Sequence, residues 1–498
     1  MKKIISFIIC FMLVVTSFTS CNKITVKNAD GKSEEINDLV DLDNVSSKEQ
    51  KKSNLKQNSS KNNNADKKQS VVASNDNKVK SKKTKAASSG VKKANTATQN
   101  PSVTTEIKPN TNVKPSDASS PSIKNEAKVS TSHTAIEASQ YYQYNTVSSS
   151  NEKKMYNILV NAVKDTKVIV DVESLKIDKE RGLMILNKML ADNPQFFWVS
   201  KYTSVSYNST TGKVRFFALY YTDGLVTDKV DNNLKLTVTA NRNTISNQIN
   251  QFNAKVKAIV STISPSLSKL KKEKAIHDYL IKHLTYDEVS AEKNYYTGET
   301  LPRCFDAYGA LVKNSAVCEG YSKAFQYLCY LVGINSTQVV GESMGVNHMW
   351  NTVNIDAAWY MVDVTWADGY DNGMVCYDYF NVTSEVISSD HTINNSELSV
   401  PSCTSTKNAF YNTFAARVTS LSAAPKNYKA AADNVIFSGE KYVYVYVKNI
   451  DGLTGNYITT HFINSSSDIQ KYIRANKYGY TFAGSFYSMG YYIILPIK

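Results

Sequence analysis

Residues 316–325 read AVCEGYSKAF, a stretch that decides the fold because it places a cysteine where a loop becomes a helix. After Cys318 in the sequence, apolar side chains recur at helical spacing, at Tyr321, Ala324, Phe325, Leu328, Cys329 and Val332. The pattern predicts a buried helix with Cys318 in its first turn. Free N–H groups and the helix dipole stabilise a thiolate there, and a thiolate is the nucleophile of acyl transfer. Cys329 has no helix terminus beside it, and we interpret it as a core residue.

Two strands with alternating patterns follow the helix, and each carries a residue that suits a cysteine nucleophile. HMWNTVNI begins with His348, and AWYMVDVTW contains Asp363. If Asp356 and Ala357 form a two-residue turn, Asp363 becomes a diagonal neighbour of His348 on the same face of the sheet. A carboxylate there would hold the tautomer and orientation of the imidazole while the other ring nitrogen meets the thiol. The sequence therefore predicts that Cys318, His348 and Asp363 converge.

Three strings in this order, AVCEGYSKAF, NHMWNTVNI and AWYMVDVTWAD, resemble the transglutaminase-like superfamily. IHDYLIKHLTYD upstream and YFNVTSEVISSDH downstream are similar to bacterial members of the same group. The resemblance implies an α+β fold with a papain-like core, in which the cysteine helix packs against an antiparallel sheet. It further implies that Cys318 is the nucleophile, His348 the general base and then acid, and Asp363 the orienting residue. We expect no cofactor and no metal.

The donors that would stabilise an oxyanion differ from those of many relatives, which place a glutamine shortly before the cysteine. This chain has no glutamine between Gln251 and Gln326. The backbone N–H of Cys318 is one predicted donor, and Asn314 and Tyr308 are candidates for the second. The choice matters because loss of one such donor costs on the order of 100-fold or more in rate.

The N-terminus, MKKIISFIICFMLVVTSFTSC, predicts export from the cytoplasm. Two lysines precede an apolar run of 12 residues, which suits a secretory signal and is too short to span a bilayer. Residues 18–21 resemble a bacterial lipobox, so we predict a signal peptide over residues 1–20 and a lipid on Cys21. An ordinary cleaved signal with an incidental cysteine is the alternative. Either route places the mature chain outside the cytoplasm, and the first anchors it to the membrane as a lipoprotein of the cell envelope.

Residues 21–139 are predicted to form a disordered tether. Residues 44–135 hold 18 lysines, 6 acidic residues and no aromatic residue, and they carry most of the chain's net charge of +14. Such a segment buries too little apolar surface to offset the entropy of ordering. A polycationic strand suits anionic wall polymers or lipid headgroups, although we favour its interpretation as a solvated spacer. Nucleic acid is not an expected partner, because the folded part is near neutral and the chain is exported.

The remaining 360 or so residues divide into three predicted parts. Residues 140–240 read as a small α+β domain, and residues 244–400 as the transglutaminase-like catalytic domain. Residues 401–498 read as an α+β or β-rich module. All 32 tyrosines of the chain lie from Tyr141 onward, where they can pack on sheets or line a binding surface.

Five cysteines remain beyond the signal and Cys21, at 304, 318, 329, 376 and 403. An odd number outside the cytoplasm suits one free thiol and at most two disulfides, with Cys304 paired to Cys403 or to Cys376. His277 and His283 lie on a helix without a partner motif and are interpreted as structural. His391 has no spacing that supports a metal site with Cys376 or Cys403.

Two functions follow as hypotheses. The first is an envelope-anchored cysteine enzyme that acts on amide bonds of a protein or peptide through an acyl-enzyme at Cys318. Water as the acceptor gives a peptidase or amidase, which we favour, and a lysine amine gives a crosslinking transglutaminase. The second is a non-catalytic envelope scaffold that uses the same core to bind a peptide or glycan.

Overall fold

The computed structural model describes three short strands near the N-terminus, residue 136, and residues 140–497 except 168, 223–224, 231–232, 239–241, 294–300, 369–373, 395–397, 439–440, 449, 451–452, 465, 477–486 and 490. The predicted signal peptide, Cys21 and most of the predicted tether lie outside the described residues. No helix within the described part is both long and apolar enough to cross a bilayer.

The N-terminal region combines three helices with two four-stranded sheets. Its elements are β1 (Ile24–Lys27), β2 (Ser33–Ile36), β3 (Asp38–Asp41), α1 (Tyr142–Asn145), α2 (Ser150–Lys164), β4 (Ile169–Asp171), α3 (Lys179–Asp192), β5 (Val199–Tyr207), β6 (Val214–Tyr221), β7 (Leu225–Val230) and β8 (Asn233–Val238). The strand orders are β3-β5-β6-β4 and β2-β1-β8-β7. Strands β1 to β3 lie within residues 21–139, the segment predicted to be a tether. The rest of that segment, apart from residue 136, is not described.

The central region holds the quoted helix and a second sheet. Its elements are α4 (Arg242–Ser261), α5 (Lys269–His283), β9 (Thr285–Tyr286), α6 (Glu288–Glu292), β10 (Ser315–Ala316), α7 (Cys318–Leu331), β11 (Asn335–Ser343), β12 (Val346–Ile355), β13 (Ala358–Val362), α8 (Val364–Ala367), α9 (Ser384–Ile387) and β14 (His391–Ile393). The sheet order is β13-β12-β11-β14, and every pairing in it is antiparallel. The fold is α+β, as predicted.

Helix α7 packs against this sheet through polar as well as apolar contacts. The Ser322 hydroxyl donates to the Met349 carbonyl at 2.8 Å, and the Asn351 side chain donates to the Ser322 carbonyl at 3.1 Å. Both contacts join α7 to β12. They fix the helix that begins at Cys318 beside the strand that carries His348.

The hairpin between β12 and β13 has the register that the sequence predicted. Asn351 pairs with Val362 and Ile355 with Ala358, which leaves Asp356 and Ala357 as a two-residue turn. Both turn residues have positive φ, 53° and 65°. Such a turn favours glycine, so Ala357 holds a conformation that costs it energy, and the buried strands on both sides impose the register.

The C-terminal region adds α10 (Phe410–Thr413), β15 (Ala416–Arg417), α11 (Tyr428–Ser438), β16 (Tyr442–Tyr446), α12 (Gly455–Ile458), α13 (Asp468–Ala475), β17 (Tyr487–Met489) and β18 (Tyr492–Pro496). The order in its sheet is β15-β16-β18-β17. The Phe410 ring stacks on Tyr377 of the central region with centroids 3.7 Å apart. The Tyr444 hydroxyl donates to the Val375 carbonyl at 3.1 Å.

One cluster of buried side chains runs through all three regions. It contains Trp198 of the N-terminal region, Phe325 of α7 and Tyr444 of the C-terminal region. The three regions therefore share one hydrophobic core, and the stack of Phe410 on Tyr377 is one of the contacts between them. The three-part division proposed from the sequence stays a prediction about boundaries.

Candidate active site

Cys318 is the first residue of α7, as the apolar spacing predicted. The preceding residue, Val317, is extended, and its N–H donates to the Cys304 carbonyl at 3.0 Å. Gly320 allows this approach, since a Cβ there would lie 2.3 Å from the same carbonyl oxygen. The glycine in the quoted stretch thus lets the start of α7 lie against residues 303–305, and this contact positions the thiol.

The five cysteines predicted to include disulfides are all free thiols in the structure. Cys318 is partly exposed, while Cys304, Cys329, Cys376 and Cys403 are buried. Cys376 Sγ donates to Asp378 Oδ2 and Cys403 Sγ to the Pro401 carbonyl, each at 3.5 Å. Cys329 belongs to the apolar core, and burial raises its pKa well above the usual value. The structure therefore contains neither of the disulfides considered for Cys304, whereas the interpretation of Cys329 as a core residue is confirmed.

His348 lies on β12 and Asp363 follows β13. His348 Nε2 is 2.6 Å from Asp363 Oδ2, and the Asp363 side chain is fully buried. The other carboxylate oxygen accepts the Trp366 N–H at 3.0 Å, so Asp363 also caps α8. The sequence placed Asp363 within a strand; the structure ends that strand one residue earlier. The diagonal contact that the hairpin register predicted is nevertheless present.

The charges of these groups are coupled. Burial alone would lower the pKa of His348, but the charge and hydrogen bond of Asp363, with a hydrogen bond and charge from Cys318, raise it to about 10. Burial alone would raise the pKa of Asp363, but His348 and a hydrogen bond from His391 hold it well below its usual range. At neutral pH, His348 is therefore an imidazolium between a carboxylate and the Cys318 sulfur. The structure brings all three predicted residues together.

His391 is a site residue that the sequence analysis did not assign. Its Nε2 lies 3.1 Å from Asp363 Oδ2, and its Nδ1 lies 2.6 Å from Asp390 Oδ1. The histidine was considered with Cys376 or Cys403, but its contacts are with these two carboxylates. The available signal was the Asp390–His391 pair that ends the string YFNVTSEVISSDH.

The donor atoms of His348, Asp363 and His391 lie within 4.8 Å of one another, so we asked whether they fit a metal ion. Ligands at about 2.0–2.1 Å in a tetrahedral zinc site are roughly 3.3 Å apart. The two Nε2 to Oδ2 separations are 2.6 and 3.1 Å, which are hydrogen-bond distances. We therefore interpret this set as hydrogen-bonded imidazoles on one carboxylate. We call His348, Asp363, Asp390 and His391 the Asp363 cluster.

The predicted oxyanion donors lie in different settings. The Tyr308 hydroxyl donates to Gln251 Oε1 at 2.6 Å, so its proton is engaged. Asn314 is exposed, with a left-handed backbone (φ 56°) at the turn that leads into β10. The Cys318 N–H lies at the start of α7, where helix N–H groups have no partner within the helix.

Tyr286 is a further polar group near the thiol. It is the partner of Ala316 in the parallel β9–β10 pair, and its ring lies 6.4 Å from that of Tyr321, one turn beyond Cys318. Its hydroxyl makes no hydrogen bond to the described residues. Burial raises the pKa of Tyr286, and the charge of Cys318 raises it further, which places the phenol within electrostatic reach of the sulfur.

A groove lies near the start of α7. Its cavity volume is about 90 Å³, and its walls include Glu319 of α7, Met349 of β12 and Phe197 of the N-terminal region. Lys323 also lines the groove and binds Glu319 at 2.5 Å. The lining combines apolar side chains with polar and charged ones, among them Gln338.

A second buried polar group lies on α5, and we call it the Lys274 cluster. Lys274 Nζ lies 2.5 Å from Asp278 Oδ2, and the Tyr377 hydroxyl donates to Asp278 Oδ1 at 2.9 Å. His277 Nδ1 is 3.1 Å from the same Oδ1. His277 is fully buried, and its Nε2 has no hydrogen-bond partner among the described residues.

Comparison with known proteins identifies the central region. Residues 256–364 match the family model of the transglutaminase-like superfamily. The chain is similar to kyphoscoliosis peptidase of Mus musculus, 25% identical over 148 residues, which are 27% of this chain and 20% of the mouse protein. It is 28% identical to the Homo sapiens protein over 112 residues, 20% of this chain and 16% of that protein. The match thus spans about a fifth of these relatives.

Two solved structures are also similar. One is the crystal structure of a TGase, with 17% identity and a TM-score of 0.22, covering 34% of this chain and 45% of that one. The other is a proposed cysteine protease from Cytophaga hutchinsonii, with 13% identity and a TM-score of 0.18, covering 30% and 51%. The chain contains a transglutaminase-like core, as the sequence motifs indicated.

Proposed function

We propose that this transglutaminase-like core is a cysteine enzyme that cleaves or transfers amide bonds through an acyl-enzyme at Cys318. The observation that carries the proposal is that His348 contacts both partners. Its Nε2 lies 2.6 Å from Asp363 Oδ2, and it also forms a hydrogen bond with Cys318. One ring nitrogen is held by the carboxylate, so the other, Nδ1, faces the thiol. This is the arrangement that makes an imidazole a base and then an acid.

In the first half-reaction, the Cys318 thiolate attacks the carbonyl carbon and the carbonyl electron pair moves onto oxygen. The C–N bond then breaks, and His348 gives its Nδ1 proton to the leaving amine. In the second, water or an amine loses a proton to His348 as it attacks the thioester, and the C–S bond breaks. Thiolate and imidazolium are restored. Asp363 stays ionised throughout and stabilises the imidazolium.

The oxyanion of each tetrahedral intermediate is stabilised by the Cys318 N–H and the Tyr286 hydroxyl. Tyr286 is preferred over Tyr308 because its hydroxyl has no partner among the described residues, while that of Tyr308 is bound to Gln251. Tyr286 also lies beside Ala316, two residues before the nucleophile. Donors fixed in place before reaction lower the barrier because they need no reorganisation.

The favoured reaction is hydrolysis of a peptide or amide, with transfer to a lysine amine as the alternative. The similarity to proteins named as peptidases supports this preference. The groove that Glu319, Met349 and Phe197 line, near the start of α7, is the proposed binding surface for the peptide. The substrate class is accordingly a protein or peptide of the cell envelope.

The enzyme acts outside the cytoplasm as a lipoprotein anchored through Cys21. Support comes from the charged and apolar segments of the N-terminus and from the lysine-rich stretch that follows, which suits contact with anionic wall polymers. The test is metabolic labelling with a fatty-acid analogue. Label and membrane association should both be lost in Cys21→Ser, and a labelled Cys21→Ser chain would contradict the anchor.

The catalytic proposal is tested by incubating the full chain with a glutamine-containing peptide, with and without a primary amine, and recording mass spectra. Chain cleavage supports hydrolysis, whereas ammonia release with a new isopeptide supports transfer. Cys318→Ala should abolish either product, and Cys329→Ala is the matched control on the same helix. If no product forms and iodoacetamide at pH 6 alkylates Cys318 no faster than an unactivated thiol, the enzyme proposal fails and the scaffold hypothesis remains.

A further inference from the structure

His391 links two carboxylates through its two ring nitrogens. Nε2 lies 3.1 Å from Asp363 Oδ2, and Nδ1 lies 2.6 Å from Asp390 Oδ1. The second oxygen of Asp390 accepts the Tyr379 hydroxyl at 2.6 Å. The contacts form a continuous line from Cys318 through His348 and Asp363 to these residues. The outer half of that line has no part in the mechanism above.

The fold holds His391 rigidly. It opens β14 opposite Ser343 of β11, and the two strands approach closely because Gly341 has no side chain; a Cβ there would lie 2.0 Å from the Thr392 carbonyl oxygen. The His391 side chain is fully buried. Four rings surround it at centroid distances of 5.0 to 5.6 Å, those of Trp350, Tyr379, His348 and Trp366.

The distances determine how many protons the pair holds. Asp363 Oδ2 can only accept, because its pKa lies well below the usual range, so His391 Nε2 carries a proton. The 2.6 Å between Nδ1 and Asp390 Oδ1 requires one further proton between those two atoms. Whether that proton is nearer nitrogen or oxygen, His391 and Asp390 together have no net charge. They therefore give Asp363 a second N–H donor without adding a positive charge.

We propose that His391 and Asp390 share one proton and act as a positioning pair for Asp363, which keeps the carboxylate aimed at His348 and ionised through the catalytic cycle. The inference rests on the proposed function of Cys318 and His348. The charged and titratable groups that face His391 are Asp363, Asp390, His348 and Tyr379.

The shared proton responds to the state of His348. While His348 is an imidazolium, its positive charge lies 5.4 Å from the His391 ring, between ring centroids, and disfavours a second cation there. The proton then lies nearer Asp390. After His348 has given its proton to the leaving amine, Asp363 keeps its charge with one cation fewer nearby, and the shared proton moves toward His391. The pair thus compensates Asp363 in both states.

The test measures the alkylation rate of Cys318 by iodoacetamide from pH 4 to 10 in the full chain, read by peptide mass spectrometry, so no substrate is needed. His391→Leu removes both ring contacts. His391→Gln keeps a donor near Asp363 but has no second nitrogen, and Asp390→Asn removes the exchangeable proton. His277→Gln is the control, because His277 is another buried histidine that contacts an aspartate, at 3.1 Å.

We expect His391→Leu to slow alkylation at pH 6 by about tenfold, since a hydrogen bond to a charged group is lost, and to move the rate profile to higher pH. His391→Gln and Asp390→Asn should each retain more than half of the wild-type alkylation rate at pH 6. His277→Gln should keep the wild-type profile. Nitrogen-15 spectra of the imidazoles should give His391 Nδ1 a shift between those of a bare and a protonated nitrogen.

A profile for folded His391→Leu that coincides with the wild type, or a bare Nδ1 in the wild type, would overturn the inference while leaving the catalytic proposal intact. If His391→Leu does not fold, the nitrogen shift of the wild-type chain decides alone. A wild-type Cys318 that reacts no faster than an unactivated thiol at pH 6 would overturn both.

Discussion

The Asp363 cluster and the Lys274 cluster contain the same kinds of side chain, yet only one faces a nucleophile. In each, a buried aspartate contacts a histidine, at 2.6 Å for His348 and 3.1 Å for His277. The pKa of His348 is raised to about 10, whereas burial lowers the pKa of His277. The two histidines therefore differ in protonation at neutral pH: His348 is protonated and His277 is neutral.

The difference lies in what neutralises each aspartate. Lys274 lies on the same helix as Asp278 and compensates its charge at 2.5 Å. Burial lowers the pKa of His277, the charge of Lys274 lowers it further, and Asp278 does not offset the two. Among the described residues, no lysine pairs with Asp363, and its charge is compensated by the imidazoles of His348 and His391 instead. A carboxylate paired with lysine fixes a structure, while one paired with histidine can take part in proton transfer.

The largest expected effect separates the two aspartates. Asp363→Asn leaves His348 without an acceptor and should lower turnover on the order of 10⁴-fold, as loss of the carboxylate does in other triads. Asp278→Asn should leave Cys318 reactivity unchanged but lower the free energy of unfolding by about 3–5 kcal/mol, because Lys274 stays buried without its partner. Turnover of the glutamine peptide and urea unfolding measure the two quantities. Equal losses of turnover in both variants would break the comparison.

The next effect extends the comparison to two tyrosines. Tyr286→Phe removes the proposed oxyanion donor and should reduce kcat by about 100-fold with little change in KM. Tyr308→Phe removes a hydroxyl already bound to Gln251 and should lower stability by about 1 kcal/mol without altering kcat. Steady-state kinetics on both variants decide the matter. A loss of kcat in Tyr308→Phe alone would return the donor role to Tyr308.

The smallest effect concerns Glu273, the neighbour of Lys274. Burial raises the pKa of Glu273 to about 8, against a hydrogen bond from Asn381 that lowers it. The folded chain therefore holds a proton that the unfolded chain releases above pH 4.5, and stability falls as pH rises from there to about 8. Glu273→Gln should match the wild type at pH 5 and be more stable at pH 9, with Cys318 reactivity unchanged. Urea midpoints at both pH values check this, and identical pH dependence in the two chains would contradict it.

The sequence predicted the geometry of the candidate site well where local pattern decides it. Cys318 begins its helix because apolar spacing starts there, and the alternation in β12 and β13 sets the hairpin register even though Ala357 is not a glycine. A one-residue slip would have turned every buried side chain of β13 outward. The contact between His348 and Asp363 follows from that register.

What the sequence could not predict depends on pairings between distant segments. His391 reaches Asp363 only because Ser343 pairs with it across 48 residues, in a strand of three residues that has no alternation to read. Tyr286 lies near the thiol through a parallel pair of two residues each. Contacts this short carry too little pattern, and tertiary packing decides them.

The stack of Phe410 on Tyr377 has a consequence for how such a chain can evolve. The Tyr377 hydroxyl binds Asp278 and the Phe410 ring covers the face of Tyr377, so the segment after residue 400 packs over the buried charge pair of Lys274 and Asp278. Deleting or exchanging that segment would admit water to Lys274. The C-terminal region therefore cannot be exchanged among relatives as an independent domain, and its sequence must change together with that of α5.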